Sequence, residues 1–528
     1  AILGRAESGE SGREPEGKMN EAEGHVHRED RKNSVGRLIF VGISVLLQLA
    51  WFSIIVLRLS ENYLWISLSL HLIAAASALG IFGKHTNPTI KMSWIFFIMA
   101  VPILGWGLYF MSYRSNFVKT MDRRFQTVDH AVLSALPDNE EILSPLLKEN
   151  PGVGNQLYFL KHSCGFPPYR DTEVDFYGDT REALEAQKLA LRNAEHFIFM
   201  EYHAIENRIA FGELKKILIE KAASGVEVRV FYDDIGSIGF IDPQFIREMS
   251  SYGISCRVFN PIVPIVNLFM NNRDHRKITV VDGRIGFTGG YNLADKYFNL
   301  THPYGLWKDS GIRLEGPAVR TLTLLFLEMW NAMDEKPVES VKPYLLDFPR
   351  SVGRGSEGIV VPYADDPVDS LCTGEDVYLN ILKNAKHYVF IATPYLIITD
   401  DMSRELTLAA RRGVDVRIVT PGIPDKKLIY QVTRSYYNQL ARDGVRIYEF
   451  TPGFLHEKQI LSDDECAVVG TINFDYRSLY HHFEDAVYLY RSRCLPKIRE
   501  DFSELFRLSR EVTKRYGDRS MALRLGQG

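Results

Sequence analysis

The 528-residue sequence has few cysteines and no excess of basic residues. Its five cysteines (Cys164, Cys256, Cys372, Cys466 and Cys494) are scattered, and no C-x-x-C occurs. That spacing excludes a disulfide framework or structural zinc site and suits a reducing compartment. Lys and Arg total 62 against 66 Asp and Glu, a formal net charge of −4. A dedicated nucleic-acid binder would carry a basic surplus, so no nucleic-acid partner is expected. No His, Cys and Asp cluster has metal-ligand spacing, so no metal or other cofactor is expected either. Charged residues at 24% and hydrophobic ones at 46% exclude a wholly disordered chain. The length calls for two to four domains.

The apolar residues are unevenly spread. Residues 1–36 are rich in Gly and Glu without apolar periodicity and read as a disordered tail, with Met19 inside it as an alternative start. Three uncharged apolar runs follow, 38–57, 63–83 and 92–111, of 20, 21 and 20 residues. Each matches the roughly 20 residues that cross about 30 Å of hydrocarbon as a helix. Trp51, Trp65, Trp94 and Trp106 lie within a few turns of their ends, where amphipathic rings favour the interface. A signal peptide has one shorter run, and core helices show a polar face. Residues 37–113 are therefore expected to form a multi-pass segment in the cell membrane. Pro102 is expected to be tolerated inside the third span. Flanking Lys and Arg divide six to five between the two sides, which leaves orientation open. The catalytic part is expected in the cytoplasm.

Residues 114–170, with Pro137, Pro145, Pro151, Pro167 and Pro168, read as a helix-poor connector. Beyond it the sequence repeats. Arg192-Asn-Ala-Glu-His-Phe-Ile-Phe echoes Lys383-Asn-Ala-Lys-His-Tyr-Val-Phe, and Gly225-Val-Glu-Val-Arg-Val echoes Gly413-Val-Asp-Val-Arg-Ile, at offsets of 191 and 188. In both copies an apolar strand, a helical stretch, a Gly suited to a left-handed cap and a second strand follow in order. That order implies parallel pairing in a buried sheet. The expected class is α/β: two duplicated lobes, 171–345 and 350–512, each a mixed β-sheet flanked by helices, with a tail at 513–528.

Each lobe carries the same constellation. The first has His275-Arg-Lys277, Asp282, Gly289-Gly290 and Asn292; the second has His456-Glu-Lys458, Asp463, Gly470-Thr471 and Asn473. His-x-Lys in an extended strand aims an imidazole and an ammonium at one spot about 6.5 Å apart along the chain, a pair that attracts an anion. The glycines allow close backbone approach, and Asn adds a neutral donor. By parity each Asp faces away from its own His or sits in the following turn, where it fixes the hairpin. One His-x-Lys alone would read as a solvated edge strand; two extended copies on duplicated lobes read as a phosphoryl-handling site.

The paired H-x-K-x4-D motifs resemble those of the phospholipase D superfamily over most of 171–512. Asn87-Pro-Thr-Ile-Lys through Tyr109 resembles the hydrophobic N-terminal region of the bacterial cardiolipin synthases, as do Glu201-Tyr202, Tyr232-Asp233-Asp234 and Leu314-Glu315-Gly316-Pro317. The resemblance implies phospholipase D-like lobes packed face to face around one phosphodiester. It places His275, Lys277, Asp282, His456, Lys458 and Asp463 in the catalytic motifs, with His275 as nucleophile and His456 as acid and base. Lys277, Lys458, Asn292 and Asn473 would hold phosphate oxygens. An acid some thirty residues on orients each histidine: Asp309 lies 34 after His275, and Glu484 lies 28 after His456. The implied reaction moves a phosphatidyl group between two phosphatidylglycerols and releases glycerol. Partners are phosphatidylglycerol, other phospholipids and the bilayer; oligomeric state stays open. Hydrolysis of phospholipid headgroups, or transfer from another donor lipid, would use the same residues. Residues 261–273 read equally as a headgroup-facing surface or as core plus loop.

Overall fold

The computed structural model describes residues 64–84, 88–114, 116–241, 244–261, 272–334, 336–346, 358–369 and 371–517, with isolated positions between 43 and 58. The first apolar run, 38–57, lies largely outside the described residues, as do 1–36, the tail beyond 517 and most of 261–273.

Two sheets carry residues 173–511. The first is built from β1 (Glu173–Tyr177), β2 (Phe197–Tyr202), β3 (Glu227–Asp233), β4 (Ser255–Phe259), β5 (Lys277–Val281), β6 (Ile285–Gly289) and β7 (Gly311–Glu315), in the order β1-β7-β6-β5-β2-β3-β4. The second is built from β8 (Ile359–Asp365), β9 (Tyr388–Ala392), β10 (Asp415–Pro421), β11 (Arg446–Phe450), β12 (Gln459–Ser462), β13 (Cys466–Gly470), β14 (His482–Tyr490) and β15 (Ser509–Glu511), in the order β8-β14-β13-β12-β9-β10-β11-β15. Apart from β15 the orders are superimposable. The β2-β3-β4 and β9-β10-β11 trios are parallel, and the hairpin side of each sheet is antiparallel. Helices Ile209–Ala223 and Asp400–Arg411 make the crossovers, and Gly225 and Gly413 follow them at φ of 90° and 91°. A Cβ is costly in that left-handed region, so Gly ends both helices cheaply.

Between the sheets runs helix Val319–Ala332, buried at every residue but Arg320. Phe326 stacks on Phe199 at 4.6 Å, and one continuous apolar core joins this helix to strands of both lobes. At roughly 25 cal/mol per Å² of apolar surface, such a core binds the lobes as one unit. The lobes also exchange short strands. Arg273–Asp274 pairs in parallel with His482–Phe483 of β14, and Leu306–Lys308 pairs in parallel with Gly453–Leu455.

Two expectations need correction. The connector is helical, with Asn116–Leu133, Glu140–Glu149 and Pro151–Tyr158. Pro151 starts a helix, where its missing N–H costs nothing, and Pro145 is carried inside one. The third apolar run is divided into two helices, Pro88–Ala100 and Pro102–Arg114, which fold against each other. Pro102 breaks the helix instead of being absorbed by it. Gly105 permits the close return, since a Cβ there would sit 2.7 Å from Ile98 Cα. Helix Leu64–Phe82 occupies the second run. Among the described residues no helix is long and apolar enough to cross a membrane.

Candidate active site

Both histidines stand just before a central strand, β5 or β12, at the seam where the lobes exchange segments. The backbone N–H of His275 donates to Phe483 O at 2.8 Å, and that of His456 to Lys308 O at 2.7 Å. The alternate residues of each motif turn the other way: Arg276 pairs with Glu328 at 3.0 Å, and Glu457 with Lys308 at 2.8 Å. His275, Lys277, His456 and Lys458 are thereby left on the face that looks across the seam.

The orienting acids are crossed between lobes. His275 Nδ1 lies 2.8 Å from Glu484 Oε2, and His456 Nδ1 lies 2.7 Å from Asp309 Oδ2. The sequence spacing pairs each histidine with an acid of its own lobe. The strand exchange overturns that pairing, because it lays β14 beside His275 and Leu306–Lys308 beside His456. Glu484 also accepts from Ser478 Oγ at 2.6 Å, Thr471 Oγ1 at 2.5 Å and His482 Nδ1 at 3.3 Å. Burial opposes its ionisation, but His275 and His482 hold it below the usual carboxylate range. Asp309 accepts from Ser310 N at 3.0 Å and Trp307 Nε1 at 3.5 Å, and burial pushes it up to about 7 against the pull of Lys458. Gly290 makes room for it: a Cβ there would lie 2.0 Å from Asp309 Oδ1.

Burial lowers His275 to about 3 although Glu484 opposes the shift, so its resting imidazole is neutral. His456 is likewise brought well down, by burial and then by Lys458, Lys277 and His275. Lys458 falls to about 7 through burial, with Asp309 opposing and Lys277 assisting. The two motifs form one site because each histidine is held by an acid of the other lobe across the exchanged strands. Lys277 Nζ donates to His275 O at 2.5 Å, and Lys458 Nζ to His456 O.

Asp282 and Asp463, grouped with the catalytic residues by motif, are not brought to the histidines. They stand in the β5-β6 and β12-β13 turns at φ of 52° and 53°. Asp282 accepts from the N–H groups of Glu195, His196 and Phe197 at 2.7–2.8 Å, and Asp463 from those of Lys386, His387 and Tyr388 at 2.7–2.9 Å. They tie each hairpin to the neighbouring central strand. Asn292 is also committed, accepting from Ala204 N and donating to Tyr297 OH, both at 3.0 Å. The Asn473 backbone N–H donates to Ser478 Oγ at 3.1 Å, while its buried Oδ1 has no hydrogen-bond partner among the described residues.

Other residues enter the site without a motif to announce them. The His203 ring lies 5.0 Å from that of His275, and the His482 ring 5.2 Å. Tyr297, Trp307 and Phe454 flank His456 at ring separations of 5.4, 5.2 and 5.8 Å. One side is thus histidine-rich and the other aromatic. His482 directly precedes the Phe-Glu484 segment, a proximity the sequence displayed without its meaning. Contrary to the expectation of no metal-ligand grouping, His275, His482 and Glu484 offer ligand atoms within 4.8 Å of one another and could hold a cation.

A duplicated sheet with two crossed His–acid pairs defines a two-motif phosphoryl-transfer fold. The family model described as "Cardiolipin synthase, PLD-like domain" matches residues 190–330 and 378–506. The chain belongs to that family. An uncharacterized protein of Streptococcus mutans is 41% identical over 80% of this chain and 91% of its own length. A cardiolipin synthase of Alkalihalophilus pseudofirmus is 32% identical over 80% of this chain and 84% of its own. Among solved structures, a phosphatidylserine synthase of Haemophilus influenzae covers 65% of this chain and 88% of its own, with a TM-score of 0.51 at 13% identity; that likeness concerns the fold.

Proposed function

We propose that this phospholipid phosphatidyltransferase moves a phosphatidyl group from one phosphatidylglycerol to the headgroup hydroxyl of a second, forming cardiolipin and releasing glycerol. The observation that carries the reading is the crossed pair of buried His–acid couples facing one seam. Neutral His275, its Nδ1–H held by Glu484, presents Nε2 to phosphorus. The Nε2–P bond forms as the P–O bond to glycerol breaks, and the departing alkoxide takes its proton from His456 Nε2, the His456–Asp309 pair carrying one shared proton before the step. His456 then takes the proton of the incoming hydroxyl as its oxygen displaces His275. Lys277 and Lys458 stabilise charge on the non-bridging oxygens. Support for transfer over hydrolysis comes from the cardiolipin synthase relatives, and at the two histidines, 7% and 6% exposed, the acceptor hydroxyl must outcompete water.

On this reading the enzyme works at the cell membrane, attached through 37–113, with the catalytic lobes in the cytoplasm. Leu72, Leu79, Phe82 and Phe96 are at least 70% exposed, an apolar surface that water disfavours and a bilayer would cover. Lipid substrates are then concentrated in the plane of the enzyme. Incubation of the purified protein with phosphatidylglycerol alone tests the function. Cardiolipin plus glycerol is expected, whereas phosphatidic acid plus glycerol would establish a hydrolase.

A further inference from the structure

The aromatic side of the site holds a cation that the chemistry above does not use. Lys296 lies in the short helix Asp295–Phe298, four residues after Asn292. Its Nζ sits 5.1 Å from the Trp307 ring centroid and 5.4 Å from that of Tyr297, the same two rings that flank His456. The helix is firmly held. Asp295 Oδ1 accepts from Ala210 N at 2.9 Å, and Tyr297 O accepts from Thr180 Oγ1 at 2.6 Å. Among the described residues Lys296 makes no ion pair or side-chain hydrogen bond. The nearby acids are engaged elsewhere: Glu206 with Arg208 at 3.2 Å, and Asp425 with Tyr395 OH at 2.8 Å. Burial lowers the Lys296 ammonium, while Asp425 and Glu206 help to keep it charged. A half-buried ammonium that touches two ring faces but no carboxylate directly keeps its N–H donors free for an anion.

We propose that Lys296 binds the phosphodiester of the acceptor lipid, making it a specificity residue that selects a phosphate-bearing alcohol over water. The proposal rests on the transfer reading and on the His456 side being where alcohols leave and enter. In the second half-reaction the acceptor's primary hydroxyl oxygen bonds to phosphorus, the Nε2–P bond to His275 breaks, and the hydroxyl proton passes to His456. The acceptor's own phosphate, at the other end of its glycerol, then lies beyond His456 toward Trp307 and Tyr297. The residue four after Asn473 is Arg477, an exposed cation in the other lobe's counterpart segment.

The test is a partition experiment with phosphatidylglycerol as donor and ethanol as a competing neutral acceptor. Cardiolipin and phosphatidylethanol arise from the same phosphohistidine, so their ratio is independent of donor binding. Lys296→Gln is expected to lower the cardiolipin-to-phosphatidylethanol ratio about tenfold or more, the loss of one charge-assisted hydrogen bond, and Lys296→Arg to restore most of it. With glycerol phosphate as a soluble acceptor, its product should fall by a similar factor against phosphatidylethanol. An unchanged ratio in Lys296→Gln overturns the proposal, as does a shift produced by Arg477→Gln instead. A fall confined to cardiolipin, with glycerol phosphate unaffected, overturns the phosphate assignment in favour of an acyl-chain effect. If wild-type protein forms neither transfer product, the underlying transferase reading fails, and that result is separable from any effect at Lys296. Continued phosphatidylethanol formation shows that a variant is folded.

Discussion

His275 Nδ1 in the first lobe lies 2.8 Å from Glu484 Oε2 in the second, 209 residues away in sequence. This contact fixes which ring nitrogen faces the substrate. A carboxylate against Nδ1–H holds the tautomer with Nε2 bare and stabilises the positive charge that the ring acquires on forming a bond to phosphorus. Glu484→Gln keeps the shape but removes the charge and permits the wrong tautomer. A fall in kcat of about 10²- to 10⁴-fold is expected, far beyond the modest drop in melting temperature that replacing one buried acceptor oxygen by an amide N–H₂ brings. Steady-state assay of cardiolipin formation checks it; a loss below about threefold would show that the carboxylate is not needed.

The alkaline side of the pH profile belongs to Lys458. Burial brings it to about 7, and Asp309, itself pushed up to about 7, shares the same window across His456, so the two titrate together. As pH rises through 7 the free enzyme loses an ammonium that a phosphodiester needs. The profile of kcat/KM, which reports the free enzyme, should therefore decline above about pH 7, while kcat declines later because bound phosphate retains the proton. His275, lowered to about 3, stays neutral across this range. Lys458→Arg, charged at every accessible pH, should flatten the decline at a reduced maximum. A wild-type kcat/KM constant from pH 6 to 9 would remove Lys458 from anion binding.

Asp282 should affect stability more than chemistry. Its carboxylate accepts three backbone N–H groups from the start of β2 while its own backbone sits at φ 52°. Asn tolerates that conformation, so Asp282→Asn isolates the lost charge and one lost acceptor, at about 1–2 kcal/mol. The melting temperature should drop measurably, while turnover per folded molecule stays within about tenfold of wild type. A thousandfold loss of turnover in a protein of unchanged stability would return Asp282 to the catalytic set.

How much of this the sequence displays depends on the range of the interaction. The hairpins were legible because an Asp-Gly or Asp-Asp turn between apolar strands is a local signal, and both turns take the left-handed conformations such residues allow. The duplicated sheet was legible because strand, helix and Gly cap recur at a nearly constant offset. The crossing of Glu484 to His275 was not, since it follows from Arg273–Asp274 pairing with β14 of the other lobe, which no local pattern encodes. Prolines misled twice in opposite directions. Pro151 starts a helix in a segment read as irregular, whereas Pro102 divides a run read as continuous. The Lys296, Trp307 and Tyr297 cluster left no trace because its members come together only through the short helix after Asn292.

The two histidines can be told apart by the leaving group. If His275 attacks and His456 protonates the departing alkoxide, a donor with a 4-nitrophenolate leaving group should no longer require His456 in the first step, because nitrophenolate departs without a proton. His456→Ala should then release about one equivalent of nitrophenol in a burst and stall, since no base remains to activate the acceptor. Intact-protein mass spectrometry should find the chain heavier by one phosphatidyl group, and a peptide map should place that group on His275. With phosphatidylglycerol as donor the same variant should be inert. His275→Ala should be inert with both donors, for it lacks the atom that bonds to phosphorus. The opposite pattern, with a burst in His275→Ala and phosphatidyl on His456, would exchange the roles while leaving the crossed geometry intact. The pseudo-symmetry of the site makes that outcome physically admissible. What distinguishes the sides is their surroundings: Glu484, held below the usual range, gives His275 a full negative charge to lean on, whereas Asp309, near neutrality, can share a proton with His456 in either direction. A permanent counter-charge suits the ring that becomes cationic in the intermediate, and a shareable proton suits the ring that must give and take one.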